Sequence, residues 1–227
     1  VRGKMSEETD KVAVTSEEPP KPTAAEAEEE PLPSPRADID VTVKHPLHRA
    51  WVLWFDNPGS GRVSADRWFQ NLKHVATFYT VEDFWGTIHH IRKPSKLKSG
   101  CNYHMFLQGV EPRWEDDFNN KGGKWVYPIP KKLRDSFDDM WLHMMIALIG
   151  EQFEHGDELC GGVASIRKQQ DRVSLWTKNV NNTDAVLKIG RQLKEICEVP
   201  STGGAINYVA HADASHGSGP AKPRHEM

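Results

Sequence analysis

Gly161-Gly162-Val163-Ala164-Ser165-Ile166-Arg167, then Lys168-Gln169-Gln170-Asp171, then Arg172-Val173-Ser174-Leu175-Trp176 reads as two strands joined by a four-residue hairpin turn. A turn of that length makes neighbouring strands antiparallel. It also places Arg167 opposite Arg172, and like charges directly opposed across strands repel. An anion held between the two guanidinium groups removes the conflict; two solvated surface arginines are the plainer alternative. Alternation along a strand puts Arg172, Ser174 and Trp176 on one face, so a phosphate clamp and an indole line the same cleft. Lys124, after Gly122-Gly123 and before Trp125, is a further candidate phosphate contact.

Working outward, short strand-like runs occur at 50 to 55, 102 to 107, 124 to 129 and about 205 to 210, besides the two in the hairpin. Three helices alternate with them only irregularly. Thr80 caps Val81-Glu82-Asp83 in a Thr-x-x-Asp box, and Val81, Phe84, Trp85, Ile88 and Ile91 follow at three-and-four spacing. A second helix spans 135 to 149 and stops at Gly150. A third starts near Thr183 and carries Val186, Ile189, Leu193 and Ile196 on one stripe. Irregular alternation of this kind predicts an α+β fold, with helices layered on one face of an antiparallel sheet.

Composition limits where the chemistry lies. Residues 1–40 hold five basic against eleven acidic side chains, six prolines and no aromatic, which predicts a disordered acidic tail. The whole chain of 227 residues carries −3, so the remainder carries +3 and suits an anionic partner. A domain over 41–212 and a flexible Gly-, Ser-, Pro- and His-containing tail over 213–227 complete the expected organisation. Cys101, Cys160 and Cys197 lack paired or metal-type spacing, and no apolar run reaches the length of a membrane span. A reducing compartment is expected, cytoplasmic with a nuclear pool, and Asn181-Asn182-Thr183 is then a chance glycosylation sequon.

The eight tryptophans all fall between 51 and 176. Most large aromatics pack into cores, but two have unusual surroundings. Trp68 follows the polar, loop-like Arg62-Val63-Ser64-Ala65-Asp66-Arg67, and Trp114 sits in Glu111-Pro112-Arg113-Trp114-Glu115-Asp116-Asp117. A flat, cationic, alkylated purine between two indole faces gains stacking and cation–π attraction, each on the order of 1 to 3 kcal/mol. A carboxylate beside one indole accepts from the N1–H and exocyclic amine of guanine, which singles out Glu115. Val81, Phe84 and Trp85, with Leu142 and Met145 near Gly150-Glu151, form either a groove for a partner's amphipathic helix or a face packed on the sheet.

Catalysis is the weaker class. No histidine spacing matches zinc ligation, no phosphate-binding glycine loop ends in Lys-Ser or Lys-Thr, and no nucleophile elbow occurs, so neither metal nor cofactor is expected.

At these residues the chain resembles eukaryotic translation initiation factor 4E, the mRNA cap-binding family. The likeness runs from His45-Pro46-Leu47 to about His211-Ala212-Asp213. It is carried by Trp51-Val52-Leu53-Trp54-Phe55, Thr80-Val81-Glu82-Asp83-Phe84-Trp85, Glu111-Pro112-Arg113-Trp114-Glu115-Asp116, Gly122-Gly123-Lys124-Trp125, Leu148-Ile149-Gly150-Glu151-Gln152-Phe153 and Cys160-Gly161-Gly162-Val163. Phe55-Asp56-Asn57-Pro58 and Trp176-Thr177-Lys178-Asn179 look closest to the green-plant branch.

The resemblance implies a curved antiparallel sheet, three main helices on its convex face and the cap in the concave face. It makes Trp68 and Trp114 the stacking pair, Glu115 the guanine reader and Trp176 the residue against the N7-methyl group. Arg167 and Arg172 become the phosphate clamp. A dorsal site for the scaffold factor 4G and its competing binding proteins maps to His45, Pro46, Leu47, Val81, Trp85, Leu142, Met145, Gly150 and Glu151. The implied activity is recruitment of capped mRNA to the ribosome, without enzymatic chemistry and without DNA or a membrane as partner; a cap-binding repressor or a nucleotide-processing enzyme are the alternatives. This chain departs from the family at Lys124, where animals usually have arginine, and at Gln169 and Arg172, where lysine is common. Pro220 stands where animal members carry a phosphorylatable serine.

Overall fold

The computed structural model describes residues 42–57, 65–215 and 221–227. The expected acidic tail, the start of the polar run before Trp68, and Pro220 lie outside the described residues. Eight strands occur among them: β1 (Pro46–Asp56), β2 (Lys73–Thr80), β3 (Asn102–Leu107), β4 (Gly123–Pro128), β5 (Leu159–Ser165), β6 (Arg172–Thr177), β7 (Asn207–Ala210) and β8 (His225–Glu226). They form one curved antiparallel sheet in the order β2-β1-β3-β5-β6-β4-β7-β8. Five helices accompany them: α1 (Ala65–Asn71), α2 (Val81–Ile88), α3 (Phe137–Ile149), α4 (Thr183–Ile196) and α5 (His211–Ser215).

Strand alternation sorts the sheet into two faces. Opposed residues in an antiparallel ladder share a face, and Leu53, Met105, Gly162 and Leu175 are successive partners from β1 to β6, with Trp125 of β4 opposite Leu175. The side chains on this face belong to the main core, together with the buried stripes of α2, α3 and α4. α4 approaches so closely that a methyl group on Gly190 would lie 2.5 Å from the Trp125 ring, and the Trp125 indole N–H donates to the Val186 carbonyl at 2.9 Å. α2 starts as its sequence predicts: Thr80 accepts from the Asp83 amide at 3.1 Å and Asp83 accepts from the Thr80 amide at 3.2 Å.

The opposite face follows from the same register. Asp56 faces Asn102, Trp54 faces His104, Val163 faces Ser174, and Trp176 faces Lys124. A small second cluster of Phe106, Val110, Cys160, Val163 and Trp176 lies there, separate from the core under α2, α3 and α4.

Three expectations are corrected. β2 is missing from the strand-like runs, although Val75, Thr77 and Tyr79 alternate with Ala76 and Phe78; its polar start, Lys73-His74, masks it. The tail expected from 213 onward does not extend through 221–227. There β8 pairs with β7, and the Met227 amide and carbonyl bond to Ile206 at 3.0 and 2.9 Å. The hairpin register also differs, because Ser165, not Arg167, lies opposite Arg172. Ile166 leaves the ladder to donate to the Cys101 carbonyl at 3.0 Å, and Asp171 caps the widened loop by accepting from the Arg167 amide at 2.8 Å.

Candidate functional site

The sheet face turned away from α2, α3 and α4 gathers the polar chemistry. Trp68 is not in a loop; it lies on α1, half-buried, and its indole N–H donates to the Asp56 carboxylate at the end of β1. Its ring meets His104 edge-on, with centroids 5.7 Å apart. Trp114 is exposed, as its flanking charges predict, with 38% of its surface accessible. The loop that carries it is braced from within. Buried Asn119 donates to the carbonyls of Glu111 and Arg113 at 2.8 Å each, while Asp116 accepts from the Glu111 and Phe118 amides at 3.0 and 2.9 Å.

The two tryptophan-bearing segments meet through their neighbours. The Arg113 guanidinium lies over the Phe69 ring at 5.0 Å, linking the loop to α1. Glu115 is exposed, and one of its oxygens accepts from the Trp114 indole N–H at 2.7 Å.

Cations cluster beyond Trp176. Lys124 is its cross-strand neighbour, and the ammonium lies 5.4 Å from the indole centroid. Burial, with the charges of Arg172 and Arg167 close by, lowers the Lys124 pKa to about 8. Burial and Arg172 also lower the Arg167 pKa. The Arg167 guanidinium is held by neutral oxygens: the Ile166 carbonyl at 2.9 Å, the Cys101 carbonyl at 3.4 Å and the Asn102 side-chain oxygen at 2.9 Å. Asp171, the carboxylate of the same loop, is paired with Arg134 at 3.0 Å. Arg167 and Arg172 therefore share a positive field although they are not ladder partners, and an anion is the species that relieves it. Gln169 is exposed in the widened loop.

Trp176 is nearly buried, with 7% accessible. Phe106 stands edge-on at 5.3 Å and the His211 ring lies at 4.2 Å. Both His211 ring nitrogens are buried without a hydrogen-bond partner, and burial followed by the Lys124 charge depresses its pKa to about 3, so the ring is neutral. Sequence reasoning misses Asp56, Asn102, His104 and His211. An acid closing the apolar run Trp51-Val52-Leu53-Trp54-Phe55 is the available signal for Asp56.

On the helix side, the residue just before β1 is clipped to α2. His45 donates its amide to Glu82 at 2.9 Å and its ring N–H at 2.7 Å, and its carbonyl accepts from the Val81 amide at 2.9 Å. His45 and Pro46 are exposed, while Leu47, Val81, Trp85 and Leu142 are half-buried. Glu151, beside exposed Gly150, is gripped by Arg49 through two bonds at 2.8 and 2.6 Å. Met145 is corrected: with 2% accessible it belongs to the core and presents nothing to a partner.

Among the described residues no cluster of His, Cys, Asp or Glu could hold a metal, and no helix is long and apolar enough to cross a membrane. Residues 46–225 match the family model described as eukaryotic initiation factor 4E. The chain is 45% identical over 183 residues to eukaryotic translation initiation factor 4E-1 of Hordeum vulgare, covering 81% of this chain and 82% of that protein. It is similar to the crystal structure of Ascaris suum initiation factor 4E-3 with the m2,2,7G cap, at 40% identity and TM-score 0.74, over 82% of this chain and 99% of that one. It also superposes on a Schistosome factor complexed with m7GpppG and 4E-BP, at 26% identity and TM-score 0.73, over 81% and 99% of the two chains. Two indole-bearing segments joined through Arg113 and Phe69, a cation cluster on the sheet face away from the main helices and these likenesses agree: the chain belongs to the eukaryotic initiation factor 4E family.

Proposed function

We propose that this chain binds the 7-methylguanosine end of capped mRNA on the polar sheet face and presents its helix side to the initiation scaffold factor 4G and competing binding proteins. The observation that carries the reading is the cluster of Lys124, Arg167 and Arg172 beside Trp176, where burial and mutual repulsion already depress Lys124. Three cations crowded together in this way fit a triphosphate. Trp68 and Trp114 then stack on the base, Glu115 reads its Watson–Crick edge, and the rim of Trp176 meets the N7-methyl group. The docking surface for the scaffold comprises His45, Pro46, Leu47, Val81, Trp85, Leu142, Gly150 and Glu151. The protein acts as a binding module with no catalytic step, working in the cytoplasm with a nuclear pool. The acidic segment 1–40 serves as a tail to the domain.

Titration of intrinsic tryptophan fluorescence tests this directly. Saturable quenching by 7-methyl-GTP at concentrations where GTP has no effect is the expected outcome. Equal quenching by both nucleotides overturns the reading, and turnover of the nucleotide would make the protein an enzyme.

A further inference from the structure

A fully buried carboxylate underlies the site. Asp56 has no accessible surface, yet three donors converge on it: the Trp68 indole N–H, the Asn102 amide at 2.6 Å and the His104 ring at 3.3 Å. Burial raises its pKa, but the hydrogen bonds from His104, Asn102 and Trp68 outweigh that and leave it below the ordinary value, so it is ionised. Asn102 extends the chain of contacts, because its side-chain oxygen accepts from Arg167 at 2.9 Å.

The amide of Asn102 has only one workable orientation. A carboxylate accepts and a guanidinium donates, so the NH2 group must point to Asp56 and the oxygen to Arg167. Reversing the amide would set donor against donor and acceptor against acceptor. One carboxylate therefore fixes the Trp68 indole directly and, through the Asn102 amide, one arm of the Arg167 guanidinium, whose other arm rests on the Ile166 and Cys101 carbonyls.

We infer that Asp56 is a positioning residue that couples the base-stacking indole of Trp68 to the phosphate-binding Arg167 through Asn102. The inference rests on the cap-binding reading above. Its consequence is that binding of the base and binding of the phosphates are linked, although Asp56 touches neither. The measurable quantity is the triphosphate increment, meaning the affinity for 7-methyl-GTP divided by that for 7-methylguanosine.

Asp56→Asn keeps the shape but turns one acceptor into a donor facing a donor. Affinity for 7-methyl-GTP should fall roughly tenfold or more, as when a buried charged group loses its hydrogen bonds. The nucleoside should lose less than the triphosphate, so the increment shrinks. The double variant Asp56→Asn with Asn102→Asp should recover both quantities. There the amide oxygen introduced at position 56 accepts from Trp68, the NH2 group beside it donates one hydrogen to the carboxylate introduced at position 102 and the other to the His104 ring, whose proton moves to its other nitrogen, and the carboxylate at position 102 accepts from Arg167.

Trp68→Phe, which removes the N–H while keeping an aromatic face, should also lower the increment although the ring never reaches a phosphate. An increment unchanged in folded Asp56→Asn, checked by thermal unfolding, overturns the inference. Failure of the exchanged pair to recover the increment, with the fold intact, overturns it too. If the unaltered protein fails to prefer 7-methyl-GTP over GTP, the cap-binding reading itself is wrong, which is a separate result.

Discussion

The two faces of the sheet are made from alternate residues of the same strands, yet they solve different problems. On the helix side, Leu53, Met105, Leu175, Trp125 and Tyr208 bury apolar surface against α2, α3 and α4. On the other side, residues of the same strands, Asp56, Asn102, His104, Lys124 and Arg172, gather charge and polar groups. One face is complete within the chain; the other leaves cations crowded and an indole exposed. Stability and binding should therefore separate by face.

The largest effect should come from the helix face. Leu53→Ala removes a fully buried side chain and should cost about 2 to 5 kcal/mol of folding stability, read by denaturant unfolding. The folded fraction should retain its preference for the methylated nucleotide. Loss of that preference in molecules still folded would show that the faces are not independent.

Next comes Trp114→Ala. It should lower 7-methyl-GTP affinity by the order of one stacking contact, about 1 to 3 kcal/mol, with little change in thermal midpoint because the side chain is 38% exposed. Asn119→Ala, which unties the carbonyls of Glu111 and Arg113, should weaken binding less while lowering the midpoint. Comparable losses in both variants would locate the stacking energy in the brace rather than the ring.

A smaller effect concerns pH. Lys124, with its pKa lowered to about 8, loses charge as pH rises past that value, so the triphosphate increment should fall between about 8 and the ordinary lysine value. Bound phosphate moves the transition upward. In the free protein the sign for folding is opposite: over that window the unfolded state holds more protons, and this group makes stability rise with pH. Lys124→Arg should flatten the increment across the window, measured against 7-methylguanosine at each pH.

The smallest effect on cap binding should follow Trp85→Ala. It should leave 7-methyl-GTP affinity within about twofold, since distant sites act nearly independently, while abolishing capture of a scaffold-derived helix. Equal loss of both would place Trp85 in the fold.

Trp114 is legible in the sequence because charges and a proline surround it, and a side chain so flanked stays near solvent. Trp68 is legible for a partly mistaken reason: its polar surroundings belong to a short helix, and its N–H is tied to an acid twelve residues earlier. The arginine pair is legible as chemistry but not as geometry. Four polar residues suggest a tight turn, whereas the loop is widened by bonds from Ile166 to Cys101 and from Arg167 to Asp171, which are tertiary and local contacts no spacing encodes. Met145 shows the limit of helical periodicity: on a helix as apolar as α3, three-and-four spacing does not tell the buried stripe from an exposed one. The network around Asp56 joins α1, β1, β3 and the β5–β6 loop, so it exists only once the sheet is assembled.

The bond between Trp114 and Glu115 carries one more consequence. Before any ligand arrives, the Trp114 indole N–H already holds the Glu115 carboxylate at 2.7 Å, and that one donor leaves most of the carboxylate's acceptor positions open. A base offering a single N–H would fill one of those positions. Under the proposed cap-binding reading, guanine would present two adjacent donors and use the carboxylate more fully. Selectivity at this position would then draw on a carboxylate whose side chain is ordered by the resident indole before a base arrives, so that less ordering is left for binding to supply.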